Sequence, residues 1–274
     1  MTSTDYATAP AITLTIAGSE ATGGAGAQAD LKTFQELGVY GITALTCIVS
    51  FDPQDNWNHR FVPVEAQVIA DQLEAIQTCY AGSLDTVKLG MMGSPATIDT
   101  VAAALQAQQW KHVVLDPVLI CKGQEPGHAL DTDQALKAAL LPLATFVTPN
   151  HFEAESLSGM SITSIEDLTE AARLIHAASG AVVLAKGGVR IEGPEAVDVF
   201  YDGQTTELLS APKVGEVAVS GAGCSLAAAV AAELAKGATP LEAARAAKDF
   251  VTAGIRNRVA SAAPFDAVWQ GGPR

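Results

Sequence analysis

Basic residues are scarce in this chain: 16 Lys and Arg stand against 30 Asp and Glu, a formal charge of −14. A surface of that sign repels a phosphodiester backbone and an anionic bilayer, which argues against nucleic acid and membrane as partners. Lys and Arg are missing altogether before Lys32, so no basic segment is there to begin a secretory signal. No apolar run reaches the roughly 18 residues of a membrane span, and a cytoplasmic location is expected. Only four cysteines occur, Cys47, Cys79, Cys121 and Cys224, far apart and without a C-x-x-C pair. That excludes a zinc knuckle or a thioredoxin-type motif and implies reduced thiols, with Cys47 and Cys79 expected to be buried and structural. The Walker pattern and the H-R-D and D-F-G motifs are also absent, so a nucleotide site would need another architecture. What is abundant is apolar sequence, 49% of the 274 residues, too much for disorder. No repeat or Gly/Pro-rich linker divides the chain. One domain over residues 1–274 is expected, with an N-terminal extension over 1–10 and a tail or interface strap from about 264 to 274.

Short apolar runs alternate with helical patterns. Residues 12–17, 42–49, 87–89, 113–115, 145–148 and 182–185 read as buried strands, and such runs favour a parallel sheet. Ile69, Leu73 and Ile76, and likewise Ile165, Leu168, Ala172 and Ile175, recur every three or four residues, which puts one apolar stripe on a helix. Residues 25–37, 221–236 and 240–258 read as further helices, the last two Ala-rich. Residues 197–201 and 205–209 flank Asp202-Gly203, a hairpin signature that would add antiparallel strands at one sheet edge. The fold class expected is α/β, a three-layer α/β/α sandwich with a mostly parallel central sheet and a small antiparallel edge.

Ligands of such sheets sit beyond the C-terminal strand ends, and five stretches there carry candidate chemistry. Residues 18–26, a glycine-rich loop that begins Gly18-Ser19, follow the first strand without the spacing of a dinucleotide fingerprint; they read as a substrate-contacting loop or a turn required for packing. Asp116, ahead of Pro117, suits Mg²⁺ held through water, or a turn cap. Asn150 and Glu153 share the first turn of a helix, placed either to hold hydrated Mg²⁺ and phosphate or to form a capping box. Lys186, followed by two glycines, can approach phosphates. The sharpest is Ser220-Gly221-Ala222-Gly223-Cys224, where small residues at a helix N-terminus expose N–H groups to an anion and the helix dipole is expected to lower the Cys224 pKa, making thiolate available as a base. Together these are the parts of a phosphoryl-transfer site.

The stretches TIAGSEATGGAGAQADLKTFQELGVYG, VKLGMMGS, LDPVLICKG, VTPNHFEAESLSGM, LAKGG and SGAGCSLAAAVAAELAKG, spread over residues 12–258, make the chain resemble the ribokinase superfamily, in its hydroxymethylpyrimidine kinase-like branch. The resemblance implies a fold that binds ATP and Mg²⁺ and phosphorylates a primary alcohol on a flat heteroaromatic ring, usually as a homodimer. It implies that Asp116, Asn150, Glu153 and Lys186 serve metal and phosphates, that Gly221, Ala222 and Gly223 form the anion hole, and that Cys224 replaces an Asp of the sugar-kinase relatives. For the acceptor it implies Gly18, Ser19, Val49, Phe51, His59, Met91, Val118 and Cys121. Phe51 stands where pyrimidine kinases carry a Glu that binds the aminopyrimidine, and a D-P-x-x-N-W flap and Cys121 resemble the pyridoxal kinases of the branch. A vitamin B6 acceptor is therefore expected, with a pyrimidine kinase of thiamine synthesis or a non-catalytic vitamin sensor as alternatives. Relatives generally have His where this chain has Ser220, which leaves Cys224 without an imidazole partner.

Overall fold

A strand covered on both faces needs apolar side chains in both directions, and that demand organises the molecule. The structure, a computed structural model, describes residues 9–118 and 126–272. Its elements in chain order are β1 (Ile12–Glu20), α1 (Gly26–Glu36), β2 (Tyr40–Asp52), β3 (Asn58–Pro63), α2 (Ala66–Cys79), β4 (Thr86–Leu89), α3 (Pro95–Gln106), β5 (His112–Leu115), α4 (Pro126–Ala139), β6 (Phe146–Val147), α5 (His151–Ser158), α6 (Ile165–Ser179), β7 (Val182–Lys186), β8 (Glu195–Tyr201), β9 (Thr206–Pro212), α7 (Ala222–Ala235) and α8 (Pro240–Arg256).

The nine strands form one sheet in the order β3-β2-β1-β4-β5-β6-β7-β8-β9. Pairing is parallel from β2 through β7. It is antiparallel at both edges, through β2–β3 on one side and β7–β8–β9 on the other. The strand period of two sends successive side chains to opposite layers. Val113, Leu115 and Val147 meet α2, α3 and α4. Val183, Ala185 and Val199 meet α5 and α6 on the same side. Val114, Phe146, Leu184 and Phe200 point the other way, onto α1, α7 and α8. Helix α7 is the innermost: Ala227 to Ala232 are all fully buried, and their small side chains let it lie between the sheet, α1 and α8. No helix of the described residues is long and apolar enough to cross a membrane.

Four features differ from expectation. Strand β1 runs to Glu20 through a bulge between Ala17 and Ser19, so Gly18 and Ser19 belong to the strand end and not to a free loop. A second antiparallel edge exists, because β3 folds back on β2 through a turn in which Asn56 and Trp57 take left-handed conformations. Residues 264–272 are no tail: Val268 and Gln270 are buried, and Ala267 bridges both Ser220 and Val259. Cys79 also departs from expectation, since it is exposed, whereas Cys47 is buried. Cys121 and residues 1–8 of the N-terminal extension lie outside the described residues.

Candidate active site

The order β2-β1-β4 places the point where the chain reverses its direction across the sheet beside β1, and the ends of β1, β4, β5, β6 and β7 open on one side. Asp116 follows β5, Asn150 follows β6 and Lys186 ends β7, where Asn150 and Lys186 pair as a parallel bridge. Lys186 Nζ lies 3.2 Å from Asp116 Oδ1, and both side chains are nearly shut off from solvent. Burial opposes the Lys186 charge, but Asp116 and Glu153 outweigh it and hold the ammonium above its ordinary range. Opposite this pair stands the start of α7: a Cβ on Gly223 would lie 3.4 Å from Lys186 Nζ and 3.9 Å from each Asp116 oxygen.

Gly221, the N-cap of α7, has φ 78°, and no side chain caps the helix. A Cβ there would overlap the Gly24 carbonyl oxygen. The loop carrying Gly24 is fixed by Glu20, whose carboxylate accepts from Thr22 N and Oγ1 and from Gly24 N and Ala25 N at 2.6–3.2 Å. Thus the turn after β1 and the turn before α7 are one packed unit. Ala222 N donates to the Val219 carbonyl at 3.3 Å, and with no side chain capping the helix the next N–H groups of this first turn, beginning at Gly223 beside Lys186, are available to an anion.

Asn150 and Glu153 do form the capping box: Glu153 N donates to Asn150 Oδ1 at 3.0 Å and Asn150 N to Glu153 Oε2 at 2.8 Å. The same pair lines a cavity of about 590 Å³ with Asp116, Lys186 and Gly223, which continues over Val219 to Thr252 and Ile255 of α8. Capping the helix and facing this cavity are therefore compatible. No cluster of three or more His, Cys, Asp or Glu able to hold a metal occurs among the described residues. Two carboxylates fit a Mg²⁺ that keeps waters and is carried largely by phosphate oxygens.

Burial pushes the Glu153 carboxyl up to about 8, against the opposing pull of Lys186. The folded protein keeps this proton up to about pH 8, whereas the unfolded chain releases it near 4.5, so stability declines as pH rises across that window. Glu153→Gln, which can still accept from Asn150 N, is expected to remove the decline. In EDTA its Tm should match wild type near pH 5 and exceed it by several degrees at pH 9, about 1 kcal/mol being worth about 2–4 °C. Equal Tm values at pH 9 would refute the burial effect.

At the other end of the site, Gly18 has no space for a side chain, because a Cβ would lie 2.5 Å from Cys47 Sγ and 3.6 Å from Met91 Sδ. Thr46 Oγ1 holds the Met91 carbonyl at 2.6 Å, and Gln28 Nε2 holds Ser19 Oγ at 2.7 Å. Val49 accepts from Ala21 N at 2.9 Å, and Phe51 faces its register partner His59 on β3, edge to face at 4.7 Å. His59 thus sits on a strand and not on a loose loop. Val118 lines the cavity beside Asp116 and Lys186. The structure brings Gly18, Ser19, Val49, Phe51 and Met91 to the ends of β1, β2 and β4, with His59 on the adjoining β3, and Asp116, Asn150, Glu153, Lys186 and Gly223 to the cavity of about 590 Å³.

Cys224 lies in the first turn of α7 with the Gly26 N–H directed at its sulfur. The expected lowering of its pKa is not found: burial pushes the thiol up to about 11, outweighing the Lys88 charge and the Gly26 N–H. Residue-by-residue reading also missed the pair behind it, Lys88 Nζ and Asp30 Oδ2 at 2.8 Å with Thr15 Oγ1 at 2.6 Å, all fully buried. Its trace in the sequence was a lone Lys inside the apolar run at 87–89, and an Asp one turn beyond Gly26. A second buried pair, Lys248 and Asp198 at 2.8 Å, stands in the wall of the nucleotide-sized cavity, where Asp198 also accepts from Gly187 N.

A family model described as phosphomethylpyrimidine kinase matches residues 20–267. The chain belongs to this family. Within it, a pyridoxine kinase of Bacillus subtilis (strain 168) is 48% identical over 248 residues, covering 89% of each chain. The structure of Bacillus subtilis pyridoxal kinase in its ADP complex superposes with a TM-score of 0.90 at 44% identity, covering 96% of this chain and 98% of that one. Pyridoxal kinase from Staphylococcus aureus, solved with AMP-PCP and pyridoxal, gives 0.88 at 39% identity over 96% and 94%. As a phosphomethylpyrimidine kinase family member the protein has the ribokinase-like α/β fold, with helices on both faces of a mostly parallel sheet.

Proposed function

We propose that this protein is an ATP-dependent vitamin B6 kinase, which transfers the γ-phosphoryl group to the 5′-hydroxymethyl group of pyridoxal, and of pyridoxine and pyridoxamine, to give pyridoxal 5′-phosphate or its analogue and ADP. The observation that carries the choice of acceptor is Phe51. Its ring packs on His59 and Phe265 at the end of β2, so this position has no carboxylate to receive the amino group of an aminopyrimidine. Leaving such a donor unpaired would cost about 1–3 kcal/mol. Relatedness leans the same way, with 48% identity to a pyridoxine kinase against 35% and 40% to hydroxymethylpyrimidine/phosphomethylpyrimidine kinases of Bacillus subtilis and Rhizobium meliloti.

In this reading Asp116, Asn150 and Glu153 receive Mg²⁺ through water and phosphate oxygens, and the metal, when bound, neutralises charge on the transferred group. Lys186, held by Asp116, meets the phosphates from one side. The N–H groups from Gly221 to Gly223 meet the same oxygens from the other, where charge is stabilised in the transition state. The acceptor oxygen forms the new P–O bond, the bond to ADP breaks, and the hydroxyl proton passes to the deprotonated Cys224 sulfur. In this reading the Cys121 thiol adds to the aldehyde of pyridoxal as a hemithioacetal, chemistry that pyridoxine does not offer. The reading extends to one kinase domain over the whole chain, acting as a homodimer in the cytoplasm.

ADP release measured with pyridoxal, pyridoxine and hydroxymethylpyrimidine decides the acceptor: turnover of the B6 vitamers is expected, and turnover of the pyrimidine alone overturns the proposal. No turnover with any of them indicates a vitamin-binding sensor. In the same assay Cys121→Ala is expected to raise the KM for pyridoxal much more than that for pyridoxine, and equal changes would remove the hemithioacetal.

A further inference from the structure

Beyond Arg256 the chain turns back on itself in a stapled loop. Val259 and Ala267 exchange backbone hydrogen bonds at 2.8 and 3.0 Å, and Arg258 Nε pairs with Asp266 Oδ2 at 2.8 Å. Ser261 Oγ donates to the Phe265 carbonyl at 2.7 Å and accepts from Ala263 N at 3.1 Å. The returning arm is tied to the entrance of the anion hole: Ser220 N donates to Asp266 O at 2.9 Å, and Val268 N donates to Ser220 O at 3.0 Å. It also abuts the turn after β1, where a Cβ on Gly24 would lie 3.0 Å from the Ala267 methyl.

The loop's surroundings are mostly solvent, with Val259, Ser261, Ala262 and Pro264 exposed, yet Phe265 is half-buried. Its ring centroid lies 4.9 Å from Phe51 and 6.5 Å from Trp57. Aromatic residues are only 5% of the chain, so the meeting of three of them with His59, from two distant segments, is a built feature and not background packing. The hairpin supplies one side of this group and the C-terminal loop the other.

We infer that the loop at residues 259–267 completes the acceptor site, and that Phe265 is a specificity-determining residue which, packed against Phe51 and Trp57, presents an aromatic wall to one face of a heteroaromatic acceptor. The inference rests on the proposed reading of this end of the site as the acceptor's. Because the arm reaches Ser220 through backbone atoms only, the Phe265 side chain governs ring binding, while the anion hole keeps its geometry without it.

Phe265→Ala is expected to raise the KM of the acceptor roughly 3- to 10-fold, the value of one aromatic contact, with the KM of ATP within about twofold of wild type. Phe265→Tyr should restore the acceptor KM and Phe265→Leu should not, which separates a ring contact from loop packing. The acceptor used is whichever of pyridoxal, pyridoxine or hydroxymethylpyrimidine wild type turns over. A pyrimidine preference would therefore overturn the B6 reading and still leave Phe265 decided by its own ratio. Should none turn over, the dissociation constant of pyridoxal from quenching of tryptophan fluorescence takes the place of KM. An unchanged acceptor constant in Phe265→Ala, an equal rise for ATP, or full rescue by Leu overturns the inference.

Discussion

Gly221→Ala is expected to lower kcat by about two to three orders of magnitude, the range found when donors of an oxyanion-type hole are removed. Two independent costs meet at this residue. Its φ of 78° is a left-handed conformation that a side chain disfavours by roughly 1–2 kcal/mol. Its Cβ would also collide with the Gly24 carbonyl, which cannot retreat because Glu20 binds the Gly24 and Ala25 N–H groups from behind. The accommodating movement must come from the α7 start, and that is the part that carries the N–H groups facing Lys186. The KM of ATP should change far less than kcat, because the cavity wall from Val219 to Thr252 and Ile255 lies outside this turn. A kcat within about threefold of wild type, at any shift in Tm, would show that the N–H groups of this turn are not the anion hole.

The convergence of Asp116, Asn150, Glu153 and Lys186 on one cavity was legible because these residues follow apolar runs. Asp116, Asn150 and Lys186 close three neighbouring strands, and a parallel sheet necessarily brings such ends together. The Ser220 to Cys224 turn was legible for the same local reason, small residues opening a helix. What escaped depends on partners remote in sequence. Lys88 and Asp30, 58 residues apart, make each other tolerable inside the core, and neither alone announces the other. Strand β3 carries His59 and Arg60 without clean alternation. Its hairpin turns on Asn56 and Trp57 in left-handed conformations, where a glycine would have been the usual sign. The C-terminal segment has no periodicity at all, because its order comes from backbone bonds to Ser220 and from Phe265 meeting the flap. Gly18 and Ser19 read as loop, since glycine and serine are weak strand formers, yet Gly18 sits at a bulge within β1 and Ser19 pairs with Ile48 of β2 beyond it.

Cys224→Ala is expected to lower kcat by about 10²- to 10⁴-fold, the usual contribution of a positioned base, with the KM of ATP little changed. The direction of the thiol's shift adds a pH signature. With burial pushing it up to about 11, thiolate is a minor species at neutral pH. The groups around the sulfur are Lys88, which favours thiolate, Asp116 and Asp30, which oppose it, and the Gly26 N–H, which favours it. Because deprotonation creates the base, kcat of wild type should rise with pH and keep rising beyond pH 9, where an unperturbed thiol near 8.5 would already have levelled off. The strength of a base of high pKa compensates in part for its scarcity, since the proton of an alcohol moves to it more favourably. A loose phosphoryl transition state asks for that proton late. Cys224→Ser tests the distinction: a hydroxyl keeps a hydrogen bond to the acceptor but does not ionise in this range. Near wild-type kcat in Cys224→Ser, or a flat pH profile from 7 to 10 in wild type, would leave Cys224 as a hydrogen-bonding positioner and return the proton to solvent or to the phosphate itself.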